Sequence, residues 1–456
     1  MIRAYAKSIF PVKGIHIYNE MHCVNVKCDS FTYSFVLKAC GRVSLQRNGE
    51  QDEGVVAFLF GRKGAEIHCR AIRDGFYCDE FVQNSLIYMY GQCGLVDFSR
   101  SVFDEMSQRT VAAWNTVIAV YDRVDDFESA NLLFKLSPEK NVVSWNSLIA
   151  RYSKMGNIEA AKRVFMEMPV RDVISWNSMI SSYVQIKDYR QALVLFRAMQ
   201  NNGVEPTEIT LIAVFGACAE SGDLILGREI HDLLKQKEFK IDGYLGIALV
   251  DMYAKCGSLN VAREVFDMLR MKHVSCWNSM IMGLSVHGYS EDALELFSTM
   301  ETKCEEVVPD RITFIGVLIA CSHKGLVEEG CCYFRRMIDK YNIRPDMKHY
   351  GCMVDLFSRW GKLDEAYQVI KTMPFDANSV LWRTLLGSCR TYGNVELAEE
   401  AFSMISELEP PKDGDYVLLS NIYADMEKWE DVERMRNVMI ELGVLKKPGS
   451  SQIAIK

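Results

Sequence analysis

A single dipeptide, Trp-Asn, recurs at a regular spacing, and this repetition constrains the fold more than any other feature. The four copies are Trp114-Asn115, Trp145-Asn146, Trp176-Asn177 and Trp277-Asn278. The first three copies are 31 residues apart, and the last gap of 101 residues accommodates two units of 35 and one of 31. A second motif, Met-Tyr-x-x-Cys-Gly, at 89–94 and 252–257, keeps the same register. Internal repeats with periods of about 20–50 residues are typical of stacked architectures, so the chain is predicted to be a tandem array.

Residues 173–207 show what one unit is. Two segments carry apolar residues at the i, i+3, i+4, i+7 spacing of an amphipathic helix: Trp176, Met179, Ile180 and Tyr183, then Ala192, Leu195, Phe196 and Met199. Gly203 and Pro206 follow, as expected after the end of a helix. Each unit is therefore predicted to be a helix–turn–helix hairpin. Because one hairpin cannot bury two apolar faces alone, stacking predicts an all-α fold, a right-handed α-solenoid with a groove along its inner surface.

The register divides the whole chain. Residues 1–29 are predicted to be an incomplete first repeat, 30–79 a long-type repeat with an insertion near 46–62, and 378–456 a helical C-terminal extension that ends the stack. The repeats between them are predicted at 80–110, 111–141, 142–172, 173–207, 208–242, 243–273, 274–310, 311–346 and 347–377.

Composition excludes several classes of function. The net charge of −8 argues against indiscriminate electrostatic binding to nucleic acid, and no apolar run has the roughly 18 residues of a membrane-spanning helix. The 15 cysteines lie in apolar runs, which favours a reducing compartment. No His-x-Glu, Cys-x-x-Cys pair or nucleotide-binding glycine loop is present. The chain is therefore predicted to be no enzyme by itself and to bind no metal or cofactor.

Three longer motifs carry a family resemblance. Residues 173–180 (VISWNSMI), 249–257 (LVDMYAKCG) and 314–323 (FIGVLIACSH) resemble plant pentatricopeptide repeat (PPR) proteins. The alternation of 31-, 35- and 36-residue units resembles the PLS subclass of that family. The segments 416–424 (YVLLSNIYA) and 447–450 (KPGS) resemble the C-terminal E extension of that subclass. No DYW deaminase domain accompanies them.

The fifth residue of a unit and its last residue are expected to meet at the groove edge, one pair per repeat. Two polar side chains per repeat suit recognition of one base of single-stranded RNA, and the family resemblance implies this code. The predicted base-reading pairs are Asn84/Thr110, Asn115/Asn141, Asn146/Asp172, Asn177/Thr207 and Asn278/Asp310. Under the family code Asn/Asp favours U and Asn/Asn favours C, so the resemblance implies a pyrimidine-rich target, with its 5′ end at the N-terminal repeats.

Two alternatives stay open at these positions. The Asn residues are also good helix N-caps, although a pure cap would accept Ser, Thr or Asp equally well. The second residues of the units, Val143 and Ile174, either sandwich the bases by apolar contact or pack in the core. The Trp residues are expected in the core rather than against bases.

About half of the units are predicted to be poor readers. An Ile at the fifth position cannot hydrogen-bond a base edge. The pairs or fifth residues concerned are Ser34, Ile212, Ile315, Ile247/His273 and Gly351/Ala377.

The resemblance implies a site-recognition factor for C-to-U RNA editing in a plant organelle, which recruits in trans a deaminase-bearing PPR protein and organelle editing cofactors. RNA stabilisation or splicing is an alternative, and so is a protein-binding helical scaffold or a truncated chain without function. The mitochondrion is the expected location, with the chloroplast as the alternative. Residues 1–7 align inside a repeat helix, so a targeting segment is expected upstream. The predicted insertion near 46–62 is interpreted as a surface loop or, preferentially, as a misassigned gene segment.

Overall fold

A computed structural model describes residues 1–24, 26–44, 53–303 and 307–442 of the chain. Within these residues every regular element is an α-helix. The chain divides into two compact units, Met1–Thr210 and Leu211–Lys456.

The first unit holds twelve helices and the start of a thirteenth. They are α1 (Ile2–Lys7), α2 (Pro11–Cys23), α3 (Ser30–Val43), α4 (Glu53–Arg73), α5 (Glu80–Gln92), α6 (Val96–Glu105), α7 (Val111–Arg123), α8 (Phe127–Leu136), α9 (Val142–Lys154), α10 (Ile158–Glu167), α11 (Val173–Gln185), α12 (Tyr189–Asn201) and α13 (Glu208–Ser221).

The second unit holds the rest of α13 and thirteen further helices. They are α14 (Leu224–Gln236), α15 (Gly243–Lys255), α16 (Leu259–Met268), α17 (Val274–Val286), α18 (Ser290–Lys303), α19 (Arg311–Lys324), α20 (Val327–Asp339), α21 (Met347–Arg359), α22 (Leu363–Thr372), α23 (Ser379–Tyr392), α24 (Val395–Leu408), α25 (Asp413–Asp425) and α26 (Trp429–Glu441).

The helices alternate between two roles. In the first unit α5, α7, α9 and α11 pack against one another in chain order, and in the second unit α15, α17, α19, α21, α23 and α25 do the same. Each of these first helices also packs against the second helix of its own hairpin, as α7 does on α8 and α21 on α22. This stacking of hairpins within each unit confirms the predicted all-α solenoid of tandem helix–turn–helix repeats.

Aromatic pairs join each hairpin to the next. The Phe of a second helix meets the Trp of the following first helix edge to face, with ring centroids 4.8 Å apart for Phe103–Trp114, 4.9 Å for Phe165–Trp176 and 5.0 Å for Phe266–Trp277. Such a geometry contributes about 0.5–1.5 kcal/mol beyond the buried area. These Trp side chains are buried, so they belong to the core, as predicted. The core also holds buried cysteines: Cys40, Cys218, Cys276, Cys321 and Cys389.

Glycines occupy several of the tight turns. Gly156 and Gly257, between the two helices of their hairpins, have φ of +72° and +76°, a region in which a β-carbon is disfavoured. Gly203 has φ of +70° just after α12, as its position in the sequence predicted.

The helix α4 departs from the expected insertion. Residues 53–62 form the first part of this 21-residue helix rather than a loop, and the remainder of the predicted insertion, through residue 52, lies outside the described residues. Phe58 and Leu59 on this stretch are exposed.

The predicted C-terminal extension is part of the same stack. One continuous apolar cluster runs from Val354 in α21 through Trp382 in α23 to Met435 in α26. The described residues 378–442 therefore fold as two hairpins on the last repeat.

Candidate functional site

Four of the five predicted pairs are joined directly by hydrogen bonds. The Asn side chain donates through Nδ2 in each case: Asn115 to Asn141 Oδ1 at 3.1 Å, Asn146 to Asp172 Oδ1 at 3.1 Å, Asn177 to Thr207 Oγ1 at 3.1 Å, and Asn278 to Asp310 Oδ1 at 2.9 Å. The structure thus brings together residues that are 26 to 32 positions apart in sequence.

The fifth pair differs. Thr110 accepts the backbone N–H of Ala113 at 3.3 Å, and no hydrogen bond joins it to Asn84 among the described residues. The Asn84 Oδ1 atom is buried and has no hydrogen-bond partner within that part of the chain.

The two members of a pair occupy different places on their helices. The last residue of a unit is the N-cap of the next first helix: Asn141 accepts the Ser144 N–H, Asp172 the Ser175 N–H and Asp310 the Thr313 N–H. The fifth-position Asn lies one full turn inside its helix. The interpretation of these Asn residues as helix caps is therefore wrong, and the cap role belongs to their partners.

Asp172 is held in its charged form. Burial would raise the pKa of its carboxyl, but hydrogen bonds from Ser175 and from Asn146 more than offset this and lower the pKa below its usual range. An ionised carboxylate only accepts hydrogen bonds, so this pair offers an acceptor where the Asn115/Asn141 pair offers amides.

The second residues of the units are exposed. Val143 has an exposed fraction of 57% and Ile174 of 60%, so the alternative that they pack in the core is wrong. Phe31 and Phe81 at the equivalent positions stack with ring centroids 6.3 Å apart. The sequence analysis did not single out the other members of this set, although the second position of each first helix would have identified them. The exposed apolar residues at the second position of a first helix are Phe31, Phe81, Val143, Ile174, Ile209, Tyr244, Ile312 and Val380.

One of the repeats predicted to recognise bases poorly has different contacts at its fifth and last positions. In the repeat 311–346 the fifth residue is Ile315, and the carboxylate of the last residue, the helix cap Asp346, binds Arg311 and the Nδ1 atom of His349. Burial would raise the pKa of Asp346, but these bonds hold it at about 2. The carboxylate of this cap is thus engaged by its own neighbours.

Nothing in the described part of the chain resembles a metal centre. Within residues 1–24, 26–44, 53–303 and 307–442, no group of three or more His, Cys, Asp or Glu side chains could hold a metal ion. None of the helices over the same ranges is long and apolar enough to cross a membrane.

The stacked hairpins, with polar pairs that join a first helix to the cap of the next first helix, define a helical-repeat protein. The PPR repeat profile matches residues 84–111, 143–173, 248–274, 275–304, 312–341 and 348–375, a related PPR repeat family profile matches 171–220, and the E motif profile matches 392–454. Pentatricopeptide repeat-containing protein At5g15300 of Arabidopsis thaliana is 43% identical over 99% of this chain and 80% of its own length. The chain belongs to the pentatricopeptide repeat family, and the E motif agrees with a PLS-type member.

Two further proteins place the chain within this family. At1g59720 of Arabidopsis thaliana, a pentatricopeptide repeat-containing protein named chloroplastic/mitochondrial, is 36% identical over 94% of this chain, which covers 56% of that protein. Among solved structures, the repeat protein PPR10 in complex with an 18-nt psaJ RNA element is 18% identical, with a TM-score of 0.64 over 98% of this chain and 74% of that one. This likeness confirms the fold.

Proposed function

We propose that this protein binds single-stranded RNA and recognises individual bases with its Asn pairs. The observation that carries the proposal is the set of four hydrogen-bonded pairs, three in the first compact unit and one in the second. Each pair combines the Asn amide with an Asn, Asp or Thr cap side chain. A related fold is known in complex with RNA, in the PPR10 structure.

The chemistry of two pairs favours a particular pyrimidine. Beside Asn146, the charged Asp172 accepts hydrogen bonds, which suits N3–H of uracil and repels the lone pair on N3 of cytosine. Beside Asn115, the amide of Asn141 can donate to N3 of cytosine. Exposed apolar residues such as Val143 and Ile174 contact the base faces, since every base has a π-face that tolerates such packing.

We further propose that the bound RNA is a site of C-to-U editing and that the E motif, residues 392–454, recruits the deaminase-bearing protein in trans. The plant relatives, one of them named chloroplastic/mitochondrial, support an organellar location, and we favour the mitochondrion over the chloroplast. Stabilisation or splicing of the same RNA uses the same site and differs only in the partner.

The decisive experiment is selection of RNA bound by the purified chain from a randomised single-stranded pool, followed by sequencing. We expect pyrimidine enrichment at three consecutive positions, with C at Asn115/Asn141 and U at Asn146/Asp172. The variant Asp172→Asn is expected to move the second preference from U to C, because an amide replaces the acceptor.

One control variant and one contrary outcome complete the experiment. Asn378→Asp changes an equivalent cap beyond the predicted pairs and is expected to leave all preferences unchanged. Equal recovery of all bases by a helical, folded protein would contradict base recognition and favour a protein-binding scaffold.

A further inference from the structure

A hydroxyl group is hydrogen-bonded to three of the five Asn side chains that are proposed to recognise bases. The third residue of the following unit donates to the Asn amide oxygen Oδ1: Ser144 Oγ to Asn115 at 2.7 Å, Thr210 Oγ1 to Asn177 at 2.6 Å, and Thr313 Oγ1 to Asn278 at 2.6 Å. These bonds join residues 29 to 35 positions apart, so they form only when two units stack.

The helix cap holds each of these hydroxyl groups in place. The same hydroxyl oxygen accepts the backbone N–H of its own cap residue, from Asn141 at 3.2 Å, from Thr207 at 3.0 Å and from Asp310 at 3.0 Å. Because the Asn Oδ1 atom can only accept, the hydroxyl donates its single proton to it. The other acceptors of that proton, Oδ1 of the caps Asn141 and Asp310, lie farther away, at 3.1 Å from the Ser144 and Thr313 hydroxyls. The capping box of one repeat thereby orients the Asn side chain of the preceding repeat.

The consequence is a fixed orientation of the amide. With Oδ1 bound by the hydroxyl, the NH2 end of Asn115 turns toward the cap residue and donates one proton to Asn141. Among the residues that the structure describes, the second Nδ2 proton has no acceptor. The pair therefore presents a donor, which suits an acceptor such as the O2 carbonyl of a pyrimidine.

Two other units provide natural contrasts. At Asn84 the third residue of the following unit is Ala113, which has no hydroxyl; in the described structure Asn84 Oδ1 is an unpaired buried acceptor and the pair with Thr110 is not formed. At Asn146 the Ser175 hydroxyl donates to the charged cap Asp172 at 2.7 Å instead, and among the described residues Asn146 Oδ1 has no partner. The carboxylate of Asp172 only accepts, so it alone keeps the Nδ2 end of Asn146 turned toward the cap.

We infer that the hydroxyl at the third position is a specificity-determining residue, because it fixes which end of the reading amide faces the RNA. This inference rests on the proposed function and extends it by one residue per repeat. Ser144, Thr210 and Thr313 act by positioning the Asn and need not touch the base. Where the hydroxyl is missing, the amide can present either end, and the preference at that base weakens.

The test measures base preference at single positions of the bound RNA for four variants. Ser144→Ala is expected to lower the preference at the Asn115/Asn141 position about fivefold, which corresponds to the loss of one hydrogen bond, and to leave the neighbouring positions unchanged. Ser144→Thr keeps a hydroxyl at this position, as at Thr313, and is therefore expected to keep the preference. Ala113→Ser is expected to raise it at the Asn84/Thr110 position.

Thr32→Ala separates this effect from the general loss of a cap. The Thr32 hydroxyl lies at the same helix position but donates to its own cap, Asp29, at 2.6 Å, so its loss is expected to change stability without changing any base preference. Thermal unfolding of all variants accompanies the binding data.

The outcomes are distinct. Unchanged preference in Ser144→Ala, with the wild-type chain still selecting bases, overturns the inference alone. Equal recovery of all bases by the folded wild-type chain overturns the proposed function and this inference together. A gain in Ala113→Ser supports the inference even where Ser144→Ala is too unstable to purify.

Discussion

The guanidinium group of Arg383 holds the carboxylate of Asp415 with three hydrogen bonds, from Nε to Oδ1 at 2.9 Å and to Oδ2 at 3.1 Å, and from Nη2 to Oδ2 at 2.8 Å. Arg383 is the fifth residue of α23 and Asp415 the third residue of α25. These are the positions that carry an Asn and a Ser or Thr in the reading repeats. An ion pair therefore replaces the Asn–hydroxyl contact at the start of the C-terminal extension.

Breaking this ion pair is expected to destabilise the extension. The Asp415 side chain is 8% exposed and that of Arg383 is 20% exposed, and removal of one partner from a buried pair costs about 3–5 kcal/mol. We expect Arg383→Ala to weaken amide hydrogen-exchange protection in α23 and α25, with little change in α15 and α17. Unchanged protection would show that the pair contributes no net stability.

The same ion pair predicts a pH dependence. Burial would raise the pKa of Asp415, but Arg383 and the Lys412 backbone N–H lower it below its usual range. The contribution to stability is then complete above the unfolded pKa of about 3.9 and is lost as the pH falls through the lower, folded value. Asp415→Asn is expected to remove this acid-dependent part, which unfolding at a series of pH values would measure.

The variant Asn141→Asp is expected to change base preference without loss of fold. Asp caps a helix as well as Asn does, and its carboxylate accepts the N3–H of uracil where the amide donates to cytosine. We expect the preference at this position to shift from C to U by about tenfold, since hydrogen bonds to charged groups contribute about 1.5–3 kcal/mol. Sequencing of selected RNA measures the shift, and an unchanged C preference would contradict the assignment of Asn141.

Most of the pairing was predictable from the sequence because it depends on register, although Asn84 and Thr110 share that register and are not joined by a hydrogen bond in the described structure. Once the Trp-Asn spacing gives the unit length, stacking places the fifth residue of one helix beside the cap of the next, as for Asn278 and Asp310. Helical periodicity likewise predicted the buried Trp residues.

Other features depend on side-chain geometry that a repeat pattern does not contain. Val143 is exposed, and apolar spacing alone does not distinguish an exposed apolar residue from a buried one at this position. The bond from Thr313 to Asn278 crosses 35 residues. The pattern of hydroxyl residues at third positions, Ser144, Thr210 and Thr313 against Ala113, was nevertheless visible in the sequence.

The stability of the second compact unit, Leu211–Lys456, is expected to fall in mild acid because of a buried histidine. His231 is 1% exposed, its Nδ1 lies 2.9 Å from the Tyr253 hydroxyl, and burial lowers its pKa from 6.5 to about 4. Because the unfolded chain then binds more protons, the free energy of unfolding decreases from pH 6.5 down to pH 4, by about 3 kcal/mol.

The matched variant is His231→Gln, which keeps a hydrogen-bonding side chain for Tyr253 and does not titrate. We expect hydrogen exchange in α14 and α15 to depend less on pH in this variant than in the wild-type chain between pH 4 and 6.5. Identical pH profiles would show that His231 is not the titrating group.

Polar substitution of the exposed second residues is expected to weaken RNA binding without unfolding the chain. Val143→Asp and Ile174→Asp place a charge where a base face would pack and where the chain itself buries little. An added carboxylate also repels phosphate. Each variant is expected to lose affinity by at least about fivefold, given that a base–side-chain packing contact contributes about 1–3 kcal/mol, with unchanged circular dichroism.

Met166→Asp is the matched control for this prediction. The exposed fraction of Met166 is 66%, similar to the 57% of Val143 and the 60% of Ile174. Met166 lies on α10, the second helix of its hairpin, and is not one of the exposed residues at the second position of a first helix. It introduces the same charge, so a general electrostatic effect would weaken binding equally in all three variants. A loss confined to Val143→Asp and Ile174→Asp, measured at one fixed salt concentration, would locate the RNA on the edge formed by the first helices, whereas equal losses would contradict the assigned contact.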